Sequence, residues 1–318
     1  MNLPAKRKRV PVHGVLLLDK PAGMSSNDAL VAVKRLLNAE KAGHTGTLDP
    51  FATGLLPLCF GEATKFAQDL LDADKTYETT VRLGETTTTG DTEGDLLESR
   101  PVSVSLEQVE AVLAQFRGPL LQVPPMYSAL KRDGKPLYEY ARAGVTLERE
   151  ARPVTIHALE LLGLAPPELR LRVTCSKGTY VRVLGEDIGR ALGCGAHLTA
   201  LRRTGIDTLE LSGALAIEAM AALSEPERTL QLLPVDALLS KFPQIDLDDE
   251  LTRRFRQGQR IALNRAGIDL PCAEGRVRVY GPDRVLLGTA QLMYGALLAP
   301  ERLVAKFAIP PAAAIPSH

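Results

Sequence analysis

From residue 13 to residue 204 the chain keeps changing period, and that constrains its fold more than any other feature. "HGVLLLDKPAGMSSNDALVAVKRLLNAEKAG" reads as a strand, a Pro-Gly loop and a helix. Ser25, with Asp28 three residues on, gives the helix a capping-box-like start. Leu30, Val33 and Leu37 form its apolar stripe, and Gly43 ends the unit. "KTYETTVRLG" alternates, so Tyr77, Thr79, Val81 and Leu83 share one face of a strand. "SLEQVEAVLAQFRG" returns to a helical period, with Ser105 and Gln108 as its box and Gly118 as its stop. "LRLRVTCSKGTYVRVLGEDIGRALG" is a strand, a Ser-Lys-Gly turn and a helix that buries Val181, Leu184, Ile188 and Leu192. Strands and helices mix without a regular βαβ repeat. This order predicts an α+β fold, a sheet of mixed strand direction flanked by helices.

The pattern changes after "LLPVDALLSKFP". A helix, "DDELTRRFRQG", precedes short strand-like runs, "GRVRVYG", "DRVLLGTAQL" and "ERLVAKF", separated by turns. The boundary falls near residues 240–246. The predicted layout is a basic tail over 1–12, a main unit over 13–243, a small β-barrel over 244–310 and a flexible tail over 311–318.

Composition excludes several classes of function. The chain has 318 residues, enough for one large unit and one small one. No apolar run approaches the roughly 18 residues that span a membrane. No apolar core follows the basic N-terminus, which argues against a secretory signal. Cys59, Cys175, Cys194 and Cys272 lie far apart and form no C-x-x-C pair, as fits a reducing cytosol. His13, His44, His157, His197 and His318 are scattered, so no metal cluster is expected. No P-loop and no G-x-S-x-G elbow occur. Net charge is zero, yet residues 170–203 hold seven basic residues against two acidic ones, which leaves room for a local basic face beside the alternative of a solvated mixed surface.

One acid stands out. In "GHTGTLDPFATG", residues 43–54, Asp49 lies among glycines and threonines with no second carboxylate beside it in sequence. One reading is a turn residue bonded to its own backbone. The other is a loop carboxylate acting as nucleophile or base, kept ionised by a cation. Arginine suits that task because its fork holds a carboxylate at two points.

"GHTGTLDPFATGLL" closely resembles the signature of the TruB-type family of bacterial tRNA pseudouridine synthases. So do "GVLLLDKPAGMSSN", "KTYETTVRLG", "PPMYSALKRDGKPLYEYAR" and "CSKGTYVRVLGEDIG", in the family's order from about residue 13 to residue 204. The resemblance implies the pseudouridine synthase fold over residues 13–243, and a PUA-like RNA-binding unit over 244–310. It implies a reaction that breaks the uridine N1–C1′ bond, turns the base and joins C5 to C1′, with no cofactor and no metal. Asp49 matches the catalytic aspartate, which adds at C6, attacks C1′ or starts elimination; these routes stay open. Tyr77 matches the tyrosine that stacks on the target base and removes the C5 proton, and Arg182 the partner of the acid. Lys20, His44, Tyr180 and Leu201 match residues that bind the flipped uridine and its loop. Residues 122–153 match an RNA clamp in which Met126, Tyr127, Lys131, Arg132, Lys135 and Arg142 interleave charge with aromatic surface. The implied partner is the T-arm stem-loop of tRNA, met by a cytoplasmic monomer with no membrane and no obligatory protein partner. Thr47 stands where the family often has Ala, and Asp91 in "TTTTGDTEG" is an acid to which no role attaches. Two rival readings stand beside this one: an RNA-binding or tRNA-folding module without chemistry, and a related synthase acting on another RNA.

Overall fold

The structure, a computed structural model, describes residues 8–305 apart from Ala266, Asp269 and Leu270. The expected 311–318 tail, the end of the small unit and most of the basic N-terminal arm lie outside the described residues. The main sheet is mixed. Its principal strands are β1 (Gly14–Lys20), β2 (Thr53–Phe60), β3 (Lys75–Leu83), β4 (Gly118–Gln122), β5 (Arg152–Ala165), β6 (Glu168–Cys175) and β7 (Ala196–Ile206). They lie in the order β1-β2-β7-β3-β6-β5-β4, with the short strand Leu215–Ala216 outside β1. The β2–β7 pair is parallel, while β3 runs antiparallel to both β7 and β6.

At the β1–β2 end both faces of this sheet are buried, which is why β1 is a nearly continuous apolar run. Leu16 and Leu18 join one cluster with Val33, Leu58 and Phe60, while Val15 and Leu17 join another with Leu55, Phe66 and Leu238. Helix α1 (Ser26–Leu36) starts at Ser25, whose hydroxyl accepts from the Asp28 backbone at 3.1 Å. Helix α2 (Leu106–Gln115) carries the full capping box of Ser105 and Gln108. It ends before Gly118, whose left-handed φ of 91° opens β4 instead of closing the helix. Helix α3 (Val181–Ala191) buries Val181, Leu184 and Ile188 as its stripe predicts, and Arg182 with them.

Residues after Gln244 form a second, five-stranded sheet. Its order is Gln244–Asp246, Gly275–Tyr280, Leu286–Met293, Leu297–Leu303, Ile261–Ala262. The end strands do not pair with each other, so the sheet is an open half-barrel rather than a closed one. It is not detached from the main unit. Tyr280, Leu286 and Val304 share the cluster of Val15, Leu17 and Leu55, and the Tyr280 hydroxyl donates to Asp236 at 2.5 Å.

The local basic face does not form, because most of its members are paired with acids, from other strands and loops or, for Arg190, from its own helix, or are buried. Arg172 pairs with Glu78 and Glu160, Lys177 with Asp72, Arg190 with Asp187 and Arg202 with Asp19. Arg182 and Arg203 are buried.

Candidate active site

Asp49 sits on the turn between α1 and β2, and four residues from four places in the chain fix that turn. The Ser26 hydroxyl, in the first turn of α1, accepts from the Leu48 N–H at 2.8 Å and donates to the Leu48 carbonyl at 3.0 Å. Lys20, fully buried at the end of β1, donates to the carbonyls of Pro21 at 2.8 Å, Met24 at 2.6 Å and Pro50 at 3.3 Å. Glu93 accepts from the Phe51 backbone, and Arg203 donates to the Gly46 carbonyl at 3.2 Å. The glycines serve this packing. Gly46 has φ 97°, and a Cβ on Gly54 would fall 2.3 Å from the Arg203 carbonyl oxygen where β2 meets β7. Gly43 has an ordinary φ and open space around it.

The Asp49 side chain does not bond its own backbone. Its Oδ2 accepts from Arg182 Nε at 2.9 Å. The expected two-pronged pairing is absent, because the guanidinium spreads its nitrogens over several partners. Nη1 donates to the Thr89 carbonyl at 2.8 Å and Nη2 to the Tyr127 carbonyl at 2.7 Å. Nε also stands 3.4 Å from Asp91 Oδ2. Asp49 is therefore not alone in space: Asp91, 2% exposed, is a second carboxylate on the same arginine. Its Oδ1 accepts from the Thr89 hydroxyl at 2.5 Å and the Glu93 N–H at 2.9 Å.

These surroundings set the charges. Burial raises the Asp49 carboxyl above its usual value, Arg182 pulls it back, and Asp91 pushes it up again. Burial lowers Lys20 to about 8, partly opposed by Asp49 and Glu93. Burial, reinforced by Arg203, lowers His44, so the imidazole is neutral near pH 7. Burial raises the Tyr77 phenol, with Arg203 opposing.

A cavity of about 610 Å³ opens above this cluster, lined by Asp49, Asp91, Arg182, His44, Tyr127, Tyr138 and Arg142 among others. Of the clamp residues, Tyr127, Tyr138 and Arg142 reach it, and the Arg142 guanidinium lies 5.4 Å over the Tyr138 ring. Lys131, Arg132 and Lys135 stand instead on an exposed hairpin that turns at Asp133 and Gly134, away from the cavity lining. Met126 is half-buried. Tyr77, Tyr180, Leu201 and Lys20 lie outside the lining of this cavity. Gln122 locks Tyr180 in place: its amide accepts from the Tyr180 N–H at 2.7 Å and donates to the Tyr180 carbonyl at 3.1 Å.

Comparison with known proteins places this geometry. The family model described as "TruB family pseudouridylate synthase (N terminal domain)" matches residues 34–181. Two further models, for TruB C-terminal regions, match residues 182–240 and 243–304. The tRNA pseudouridine synthase B of Burkholderia mallei (strain NCTC 10247) is 64% identical over 297 residues, 93% of this chain and 98% of that protein. The chain belongs to the TruB family of pseudouridylate synthases. The similarly named TruB protein of Ralstonia pickettii (strain 12J) is 61% identical over 312 residues, 95% of this chain and 97% of that protein. Among solved structures, a Cbf5-Nop10-Gar1 complex contains a chain with TM-score 0.71 and 25% identity, covering 92% of this chain and 84% of its own. The mixed sheet with its helices is thus the pseudouridine synthase fold. Asp91, Ser26, Glu93 and Gln122, which hold or adjoin Arg182, Leu48, Phe51 and Tyr180, are residues that sequence reasoning did not assign. Their only signal was polar character close to the matching motifs.

Proposed function

We propose that this TruB-family protein is a tRNA pseudouridine synthase that isomerises the T-loop uridine. The observation that carries the reading is the Asp49–Arg182 pair, 2.9 Å apart, at the wall of an open cavity. A carboxylate that is 35% exposed, yet held by a 3% exposed arginine, is both aimed and reachable. The target base must leave the loop's stack to meet it, since C1′, N1 and C5 are covered in a stacked strand.

The isomerisation is balanced within one nucleotide. The N1–C1′ bond breaks, the base turns, a C5–C1′ bond forms, the C5 proton departs and N1 regains a proton. Addition at C6, attack at C1′ and elimination across the sugar all begin from an ionised Asp49. In this reading Tyr77, on β3 and close enough to feel the Asp49 charge, takes the C5 proton, while Tyr127, Tyr138 and Arg142 offer ring faces and charge to the splayed loop. His44 lines the cavity beside the uridine, while Tyr180, Leu201 and Lys20 support the site from outside that lining. Residues 131–135 present charge to the phosphates, and the unit after residue 244 adds a second RNA contact. The protein acts in the cytoplasm as a monomer. No helix among the described residues is long and apolar enough to cross a membrane.

The test is unmodified tRNA incubated with the protein and mapped for pseudouridine at single-nucleotide resolution. Modification confined to the T-loop is expected. Asp49→Asn should abolish it while leaving tRNA binding largely intact, because Asn keeps the shape and loses the charge. Binding without any modification by the parent protein would leave only an RNA-binding role.

A further inference from the structure

Among the described residues, Arg203 is the largest side chain almost wholly shielded from water, at 1% exposure, and it forms no ion pair with a carboxylate there. Its guanidinium donates instead to the Leu55 carbonyl at 2.7 Å and to the Gly46 carbonyl at 3.2 Å, and its charge acts on the Tyr77 phenol. A buried cation without a carboxylate is a poor device for stability, since an apolar side chain of similar length often serves as well. Its place in the sheet suggests another purpose. On β7, Arg203 stands in register with Gly54 of the Asp49 segment on one side and with Tyr77 of β3 on the other. Register partners project to the same face, so the guanidinium and the phenol meet there. Gly54 lets β2 approach until the Arg203 backbone is fixed against it, and the two carbonyl bonds then fix the far end of the side chain.

We propose that Arg203 is a positioning residue that acts through Tyr77, and this rests on the function proposed above. The guanidinium, held by the Leu55 and Gly46 carbonyls, faces the phenol across the β7–β3 pair. It also supplies positive charge to the phenol oxygen. Negative charge that develops on the phenol as it takes the C5 proton therefore finds its counter-charge already in place. The acid side of the site has Arg182, and the tyrosine side has Arg203.

The experiment is a double-mutant cycle in the full-length protein with unmodified tRNA. Single-turnover rates are measured for Arg203→Met in the parent and in a Tyr77→Phe background, with KM for tRNA and melting temperature for each. Arg203→Met should cut kcat by roughly 10²-fold, the scale of one proton-transfer group, with KM little changed. In the Tyr77→Phe background the same change should cost far less, because the group it serves is gone. Equal losses in the two backgrounds would overturn the proposal, as would an Arg203→Met protein with the parent's rate. Should Arg203→Met fail to fold, Arg203→Lys carries the same cycle: it keeps the charge, and its smaller loss should again shrink without the phenol. Again, equal losses would overturn the idea. A parent protein that makes no pseudouridine at all would instead sink the functional reading, so the two failures are told apart.

Discussion

Replacing Arg182 by Lys tests how the site holds its acid. Arg182 is 3% exposed and bridges Asp49, Asp91 and the carbonyls of Thr89 and Tyr127, which come from three separate segments. A lysine ammonium is a single point and cannot reach all of them. If it keeps the carbonyls, it gives up the bond to Asp49. A hydrogen bond to a charged group is worth about 1.5–3 kcal/mol, which is roughly 10- to 150-fold in rate when it acts on the reacting group. If it keeps Asp49 instead, a buried carbonyl is left unpaired and stability falls by about 1–3 kcal/mol. The assay is single-turnover release of the C5 hydrogen from labelled tRNA, run beside thermal melting. Loss in rate, in melting temperature or in both is expected. A rate within about threefold of the parent's, with an unchanged melting curve, would refute the account of Arg182 as the bridge.

Three further outcomes follow from the same geometry. Asp91→Asn removes a charge that raises the Asp49 carboxyl, so the acid limb of the pH–rate profile should move to lower pH even as the plateau falls; a limb that stays put would detach Asp91 from Asp49. Lys20 is lowered by burial to about 8 against an unfolded value near 10.4, so between those pH values the unfolded chain binds more protons and the folded state gains as pH rises. The stability of the parent minus that of Lys20→Met should accordingly grow from about pH 8 to pH 10, and a flat difference would mean the lysine is not desolvated. Truncation after Ser240 should lower the melting temperature and remove activity on full tRNA and on an isolated T-arm hairpin together, because Tyr280, Leu286 and Val304 cover Val15, Leu17 and Leu55; retained hairpin activity with unchanged melting would show the half-barrel to be an independent appendage.

What the sequence made legible is what local physics decides. The caps at Ser25 and Ser105, the alternation of β3 and the stripe of α3 depend on neighbours three or four residues away. Asp49 and Arg182 stood out because each lies in a matching motif, although they are 133 residues apart. The missed partners were missed because their meaning is entirely non-local. Ser26 reads as an ordinary first-turn serine until Leu48, 22 residues on, is folded against it. Asp91 was an acid without a role because nothing in its own loop shows that Arg182 will arrive. The basic face failed for the same reason: its arginines were counted, while Glu78, Glu160 and Asp19 came from other strands. In the clamp segment, composition marked charge and rings but not which of them turn inward; the hairpin at Asp133 and Gly134 sends Lys131, Arg132 and Lys135 outward.

The single-pronged contact between Arg182 and Asp49 is itself informative about the chemistry. A carboxylate clasped by both prongs of a guanidinium is well oriented but poorly nucleophilic, since both oxygens are engaged and their charge is neutralised. Here only Oδ2 is held, and no hydrogen bond reaches Oδ1 among the described residues. The other prongs are occupied by Thr89 and Tyr127, and Asp91 draws on the same cation at 3.4 Å. Arg182 is thereby prevented from rotating into a symmetrical clasp, and its charge is shared between two acids. The consequence is a carboxylate raised by burial, restrained from protonation by one arginine, and left with a free oxygen at the cavity wall. Asp91 thus does not compete with Asp49 for a role in bond making. In the proposed reaction it limits how much of Arg182 the Asp49 carboxylate receives, and that limit would keep a half-buried, paired aspartate reactive.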